Sequence, residues 1–312
     1  MNILVAGGAG FIGSHLVDRL MERGDKVVVA DNLCLGKREH FAQHLDNPRF
    51  VFYEFDVTEA VALRELFERH EITRVYHLAA NSDIQKGGEN PTIDIHDTLE
   101  TTLTLLQAMR DYGIKELLFA SSSAIYGEQP GLLTEDGGGL QPVSYYGAAK
   151  LASEAFISAF AAMCDMRANI IRFPNVVGPR LTHGAVYDFV NKLKANPREL
   201  EILGDGQQEK PYIYVQDLVE ALLFPSFADI GVNVFNVGVE SATTARRIAD
   251  IVCEEMGLTD VKYHFTGGPV GWKGDVARFQ YDLAKIHAAG WRAKHSSDEA
   301  VRLAAKAALV DL

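Results

Sequence analysis

Asn2-Ile-Leu-Val-Ala6-Gly7-Gly8-Ala9-Gly10-Phe11-Ile12-Gly13-Ser14 runs from an apolar strand through a glycine-rich turn into a helix that repeats apolar side chains at Leu16, Val17 and Leu20. A lone glycine cluster carries little information. Here a strand precedes it, a helix follows it, and a second strand, Lys26-Val-Val-Val-Ala-Asp31, ends in an acid roughly twenty residues on, which is the setting of a dinucleotide fingerprint. Gly7 is expected to permit the tight turn, Gly10 to let backbone approach a pyrophosphate, and Gly13 to let the helix pack on the strand. The helix amino terminus then faces the phosphates. The spacing, G-x-x-G-x-x-G, has one residue more between the first two glycines than the commoner pattern, so the context supplies the specificity. Asp31 is expected to accept hydrogen bonds from ribose hydroxyls and to repel a 2′-phosphate, favouring NAD over NADP, with Lys37 and Arg38 nearby as the counter-argument.

The chemistry is expected at a later strand. Lys115-Glu-Leu-Leu-Phe-Ala-Ser121-Ser122-Ser123 reads as a buried parallel strand reaching its carboxyl end, where open α/β sheets bind ligands. Tyr146 and Lys150 follow, four apart and so on one helix face. A phenol is a poor base at neutral pH, with an ordinary pKa near 10. An ammonium beside it is expected to favour the ionised form, and a serine hydroxyl to bond the same substrate oxygen. This set can move a proton to or from a carbinol while a hydride leaves or joins its carbon. By itself Y-x-x-x-K is a common amphipathic spacing; its place after the serine strand gives it weight.

A chain of 312 residues with 47% hydrophobic content can bury a full core. The net charge of -12 argues against nucleic acid and anionic membrane as partners. Cys34, Cys164 and Cys253 lack metal or disulfide spacing and read as reduced buried thiols. His96, His183, His264 and His295 are scattered, so no metal is expected. With no basic leader or long apolar span, the expected compartment is the cytoplasm. His77, inside an apolar strand, reads as structural.

Strands and helices alternate to about residue 173, predicting a doubly wound parallel (Rossmann) α/β domain over 1–173 with a return near 231–256, and a smaller, discontinuous α/β lobe over 174–312. Helices are expected near 92–112 and 145–164. Leu99, Leu103, Leu106 and Met109 stripe the first; Ala148, Ala152, Ala155, Ala159, Phe156 and Phe160 give the second a surface for close contact. Core packing and a homodimeric four-helix bundle are both open readings. Glu254, Glu255 and the closing helix read as solvated faces.

Taken in order, Gly7/Gly10/Gly13, Asp31-Asn32-Leu33, Asp56-Val57, His77-Leu-Ala-Ala, Ser-Ser-Ser-Ala-Ile-Tyr126-Gly127, Tyr146-Gly-Ala-Ala-Lys150, Arg172-Phe-Pro-Asn175 and Tyr212-Ile-Tyr-Val-Gln-Asp217 resemble the extended short-chain dehydrogenase/reductases, and within them the NAD-dependent nucleotide-sugar epimerases. The resemblance implies Tyr146 as base, Lys150 as its cation and a ligand of the nicotinamide ribose, and Ser122 as the catalytic hydroxyl. It implies NAD contacts from Gly7, Gly10, Phe11, Ile12 and Gly13, from Asp31, Asn32, Leu33, Gly36 and Lys37, from Asp56 and Val57, from Leu78, Ala79 and Ala80, and from Ser121 and Phe173. For a nucleotide-diphosphate sugar it implies Ser123, Tyr126, Asn175, Phe189, Lys210 and Trp272. Related dehydratases and decarboxylases place a glutamate where this chain has Ala124, which points to epimerisation, at C4 of an NDP-hexose through a transient ketone. A dehydratase or reductase of the same family is the alternative, and a non-catalytic NAD sensor a more distant one. Three departures stand out: Lys210 and Trp272, with Lys273 alongside, where the family commonly has arginines, and Thr98 where it has asparagine.

Overall fold

Seven strands build the main sheet: β1 (Asn2–Ala6), β2 (Lys26–Asp31), β3 (Phe50–Glu54), β4 (Arg74–His77), β5 (Glu116–Ala120), β6 (Arg167–Arg172) and β7 (Gly231–Asn236). They lie in the order β3-β2-β1-β4-β5-β6-β7, and the pairings from β3 through β6 are all parallel. The computed structural model describes residues 1–227, 230–272 and 274–311. Ala6 pairs with Ala30 on one side and His77 on the other, so the order reverses at β1 and a crevice opens beyond its carboxyl end. The strands are near-continuous apolar runs because both faces are covered: Ile3, Val5, Val27, Val29 and Phe119 are fully buried. Each such side chain contributes about 1.5–3 kcal/mol on burial.

The chain divides into two compact units. The first takes in Met1–Ile125, Ser144–Arg172 and Leu222–Phe235. It carries the main sheet, and its core joins Leu63, Leu66, Leu105, Leu106, Met109 and Ile157 to the strands. The expected helix near 92–112 is interrupted: a short turn, Pro91–Asp94, leads into a π-helical stretch, Ile95–Glu100, before the regular helix Thr101–Asp111. In the widened turn the Thr102 hydroxyl donates to the Thr98 carbonyl at 2.7 Å. Of the leucine stripe, Leu106 and Met109 face the core while Leu99 and Leu103 are only half-buried.

The second unit holds Tyr126–Val143, Phe173–Ala221 and Asn236–Leu312. Three helices, Ala185–Ala195, Ala245–Met256 and Ser297–Asp311, pack around Val190, Leu193, Ile248, Ile251, Val301 and Ala304. The return expected over 231–256 goes back to the sheet only as far as Asn236, because the amphipathic helix Ala245–Met256 buries its apolar face in this second core. Segment 126–143 joins the same unit through Leu132–Leu133, which pairs with Gln280–Tyr281. Glu254 and Glu255 are not merely solvated; both are ion-paired to Arg302, tying two helices together.

Candidate active site

The glycine turn has the steric signature of a phosphate cradle. Gly7 has φ +80°, and a Cβ there would stand 2.5 Å from the Ala79 nitrogen. A Cβ on Gly13 would stand 2.1 Å from the Gly7 carbonyl oxygen, so helix and turn approach as closely as the sequence predicts. On Gly10 it would meet only the Gly7 oxygen, at 3.4 Å, leaving open space in front of the turn. Gly10 is also the N-cap of the helix Phe11–Glu22, with no side chain capping it. The first-turn amides thus point toward that space without intrahelical partners, which is what a pyrophosphate requires. The turn fits NAD.

Asp31 closes the end of β2. Its Oδ2 accepts from the Ala9 amide at 3.0 Å and its Oδ1 from the Leu33 amide at 2.8 Å. Burial pushes its carboxyl above the usual range, and those backbone bonds oppose the shift. A third backbone bond comes from Gly10, and the carboxylate's remaining acceptor capacity is what a ribose hydroxyl would use. Leu33 adopts φ +57°, an uncommon left-handed conformation for a branched residue, and Lys37 bonds the Ala9 carbonyl through its backbone. Arg38 is paired with Glu54 and lies over Phe52, so one of the two cations that argued for a 2′-phosphate is engaged elsewhere. The Asp56 carboxylate accepts from Asn32 at 2.8 Å and from Thr58; these bonds hold it below its ordinary pKa despite the larger opposing effect of desolvation. Val57 is buried beside it. Cys34, expected buried, is exposed next to this group.

The helix Tyr145–Cys164 starts at Ser144, whose hydroxyl accepts from the Gly147 amide at 3.1 Å. That start puts Tyr146, Lys150 and Glu154 on one face against the end of β5. Tyr146 is hydrogen-bonded to Ser122, Lys150 donates to the Ala120 carbonyl at 2.6 Å, and Glu154 Oε1 accepts from the Ser121 hydroxyl. Ser122 and Tyr146 are therefore brought together as expected.

The role expected of Lys150 toward the phenol is not what the geometry provides. Its ammonium sits 4.6 Å over the Phe119 ring but 5.9 Å from the Tyr146 ring centroid, because the strand-end carbonyl is its hydrogen-bond partner. Burial pushes Tyr146 up to about 12, with Ser122 opposing and Asp94 adding to the rise. Burial likewise draws Lys150 down to about 7, against Glu154 and Asp94. The phenol is protonated in this arrangement.

Several other expectations need revision. Ser121 is fully buried with its hydroxyl on Glu154, so its side chain is structural rather than a cofactor ligand. Tyr126 turns inward and donates to Asn236 Oδ1 at 2.7 Å, which removes it from a substrate-lining role. Phe189 belongs to the core of the second unit. Asn175 is exposed at a strand end and hydrogen-bonded to Tyr212, and Phe173 is mostly buried. Lys210 is ion-paired to the buried Asp275, whose amide bonds the carbonyl of the half-buried Trp272; Lys273 lies outside the described residues. Leu78 continues β4 through an amide bond to the Ala6 carbonyl, bringing Ala79 against Gly7. Buried His77, bonded to Thr102 at 2.9 Å and lowered to about 3 by desolvation, is neutral and structural. The sequence reading missed Asp94 and the Glu154–Arg172 pair; the i+4 step from Lys150 to Glu154 was the available signal.

A parallel sheet with a glycine cradle at its switch point and a Ser-Tyr pair at the end of β5 defines a dinucleotide-dependent enzyme. The chain belongs to the NAD dependent epimerase/dehydratase family, whose profile it matches over residues 3–238. It is 31% identical over 308 residues to a putative UDP-glucose 4-epimerase of Methanocaldococcus jannaschii, covering 96% of each chain. The solved UDP-glucose 4-epimerase of Thermus thermophilus in complex with NAD aligns at 33% identity and TM-score 0.89 over 100% of both chains. UDP-glucuronic acid decarboxylase 4 of Arabidopsis thaliana is 33% identical over 263 residues, 81% of this chain and 57% of that one. Among the described residues no helix is long and apolar enough to cross a membrane, and no cluster of metal-ligating side chains occurs.

Proposed function

We propose that this chain is an NAD-dependent nucleotide-sugar 4-epimerase acting on a UDP-hexose. The Ser122–Tyr146 hydrogen bond at the end of β5, with alanine at position 124, carries the reading: the site can shuttle a carbinol proton, and it lacks the adjacent carboxylate that elimination or decarboxylation would use. Bound NAD would supply reversible hydride acceptance at the carbinol carbon. Gly7, Gly10, Gly13 and the first turn of the following helix would hold its pyrophosphate, with Asp31 on the ribose.

Tyr146 takes the carbinol proton and later restores it. Ser122 donates to the oxygen that gains negative charge in each direction. Ionising the phenol at neutral pH needs positive charge close by; Lys150, one helical turn on, would supply it only on release from the Ala120 carbonyl. Asn175, Lys210 and Trp272 are the proposed grip on the nucleotide diphosphate, where Lys210, already paired to Asp275, would share a point charge instead of offering an arginine fork.

The outward face of the Tyr145–Cys164 helix supports a homodimer: Ala148, Ala155, Phe156, Ala159 and Met163 are exposed, and Met163 is 84% accessible. Phe156→Glu should convert a dimer to monomer by light scattering. The free cysteines support a cytoplasmic location.

Incubating the purified protein with UDP-glucose or UDP-galactose, without added NAD, should interconvert the two by NMR. Loss of water from the sugar, loss of carbon dioxide when UDP-glucuronate is offered instead, or a requirement for reduced cofactor would overturn the assignment.

A further inference from the structure

Tyr146, Lys150 and Glu154 fall at successive i, i+4 positions of one helix, and each is hydrogen-bonded to one of three consecutive residues at the end of β5. Tyr146 meets Ser122, Lys150 meets the Ala120 carbonyl, and Glu154 meets the Ser121 hydroxyl. The third rung has its own clamp. Arg172, the last residue of β6, grips Glu154 with two bonds, Nε to Oε1 at 3.0 Å and Nη2 to Oε2 at 2.6 Å, and both side chains are more than nine-tenths buried. Ser121 is in turn held to β6 through its amide, which donates to the Ile171 carbonyl at 2.8 Å.

We propose that Glu154 is a positioning residue for the Ser122–Tyr146–Lys150 site, fixing the strand end through Ser121 and setting a negative charge one helical turn beyond Lys150. The inference rests on the catalytic assignment above. A bidentate arginine–carboxylate pair at this depth is costly unless its geometry is used. Its position beside Ser121 and one turn from Lys150 gives that use. The groups facing Lys150 are Tyr146 and Glu154 on its own helix, Asp94 from the Pro91–Asp94 turn, neutral His77 from β4 and the Phe119 ring from β5. Burial opposes the ammonium, while Glu154 and then Asp94 favour it. Glu154 is the nearer determinant because it shares the helix face and the strand end to which Lys150 is bonded.

The test uses holoenzyme carrying 15N-labelled lysine, with the Lys150 Nζ signal followed by NMR from about pH 6 to pH 11. Glu154→Gln should lower its titration midpoint by about one pH unit or more, with the pH profile of kcat moving in step and KM little changed. Arg172→Gln should shift the midpoint the opposite way. Ser121→Ala, which removes a neutral donor to Glu154 and keeps both charges, should lower kcat at every pH and leave the midpoint in place. An unmoved midpoint in folded Glu154→Gln overturns the proposal, even if that variant melts earlier. So does Ser121→Ala with wild-type kcat. Failure of the catalytic assignment would appear separately, as wild-type protein without turnover, while the NMR midpoints still report on Glu154.

Discussion

Lys150 is bonded to the carbonyl of Ala120, and that bond, at 2.6 Å, holds its ammonium on the strand end, 4.6 Å from the Phe119 ring centroid and 5.9 Å from that of Tyr146. The position of the lysine amine thereby depends on the end of β5. Movement of that strand end would alter the phenol and the amine together.

Tyr146→Phe removes the hydroxyl that carries the proton and leaves the ring. Turnover should fall by about 10²–10⁴-fold, with tightly bound NAD still detectable by absorbance after denaturation. Ser122→Ala should lower kcat more than it alters KM.

Folding stability should depend on pH through Lys150. Its folded pKa, about 7, lies below the ordinary 10.5. Between those values the unfolded chain holds a proton that the folded chain has released, so this contribution to stability rises with pH through that window and is lost as pH falls through about 7. Tyr146, raised to about 12, acts in the other sense: its contribution is complete below pH 10 and disappears as pH climbs toward 12. Lys150→Met should flatten the rise of stability between pH 7 and 10.5 in chemical denaturation of NAD-free protein.

The glycines separate by what a methyl group would meet. Gly13→Ala collides with the Gly7 carbonyl and should destabilise the fold by about 1–3 kcal/mol while weakening NAD binding. Gly10→Ala meets little protein and should fold normally, losing cofactor affinity alone. Thermal melts with and without NAD distinguish the two.

Asp275→Asn leaves the Lys210 ammonium without its ion-pair partner in a mostly buried position, at a cost of about 1–3 kcal/mol. Lys210→Met should instead show its main effect in a raised KM for the nucleotide sugar. Denaturation curves and initial rates measure these separately.

The dinucleotide turn, the strand carrying Ser122 and the helix carrying Tyr146 were legible because each is a local pattern: apolar runs, glycine punctuation and i, i+4 spacing within a few turns. Partnerships across the chain were not. Glu154 finds Arg172 at a sequence distance of 18 and Lys210 finds Asp275 at 65, through the packing of separate elements. The direction of Lys150 depended on a backbone carbonyl, which side-chain patterns do not display. Phe189 and Tyr126 were apolar-rich residues near motifs, and burial in the second unit claimed both. The π-helical stretch at Ile95–Glu100 leaves no mark in hydrophobic periodicity over so short a span.

Ser144 caps the helix and thereby sets its rotational phase. Inserting or deleting one residue between that cap and Tyr146 would swing everything downstream by roughly 100° about the axis, carrying phenol, amine and carboxylate off β5 at once. Sequence drift ahead of position 144 is free of that penalty, so length variation among natural variants of this enzyme should collect on the amino-terminal side of the serine and stop there.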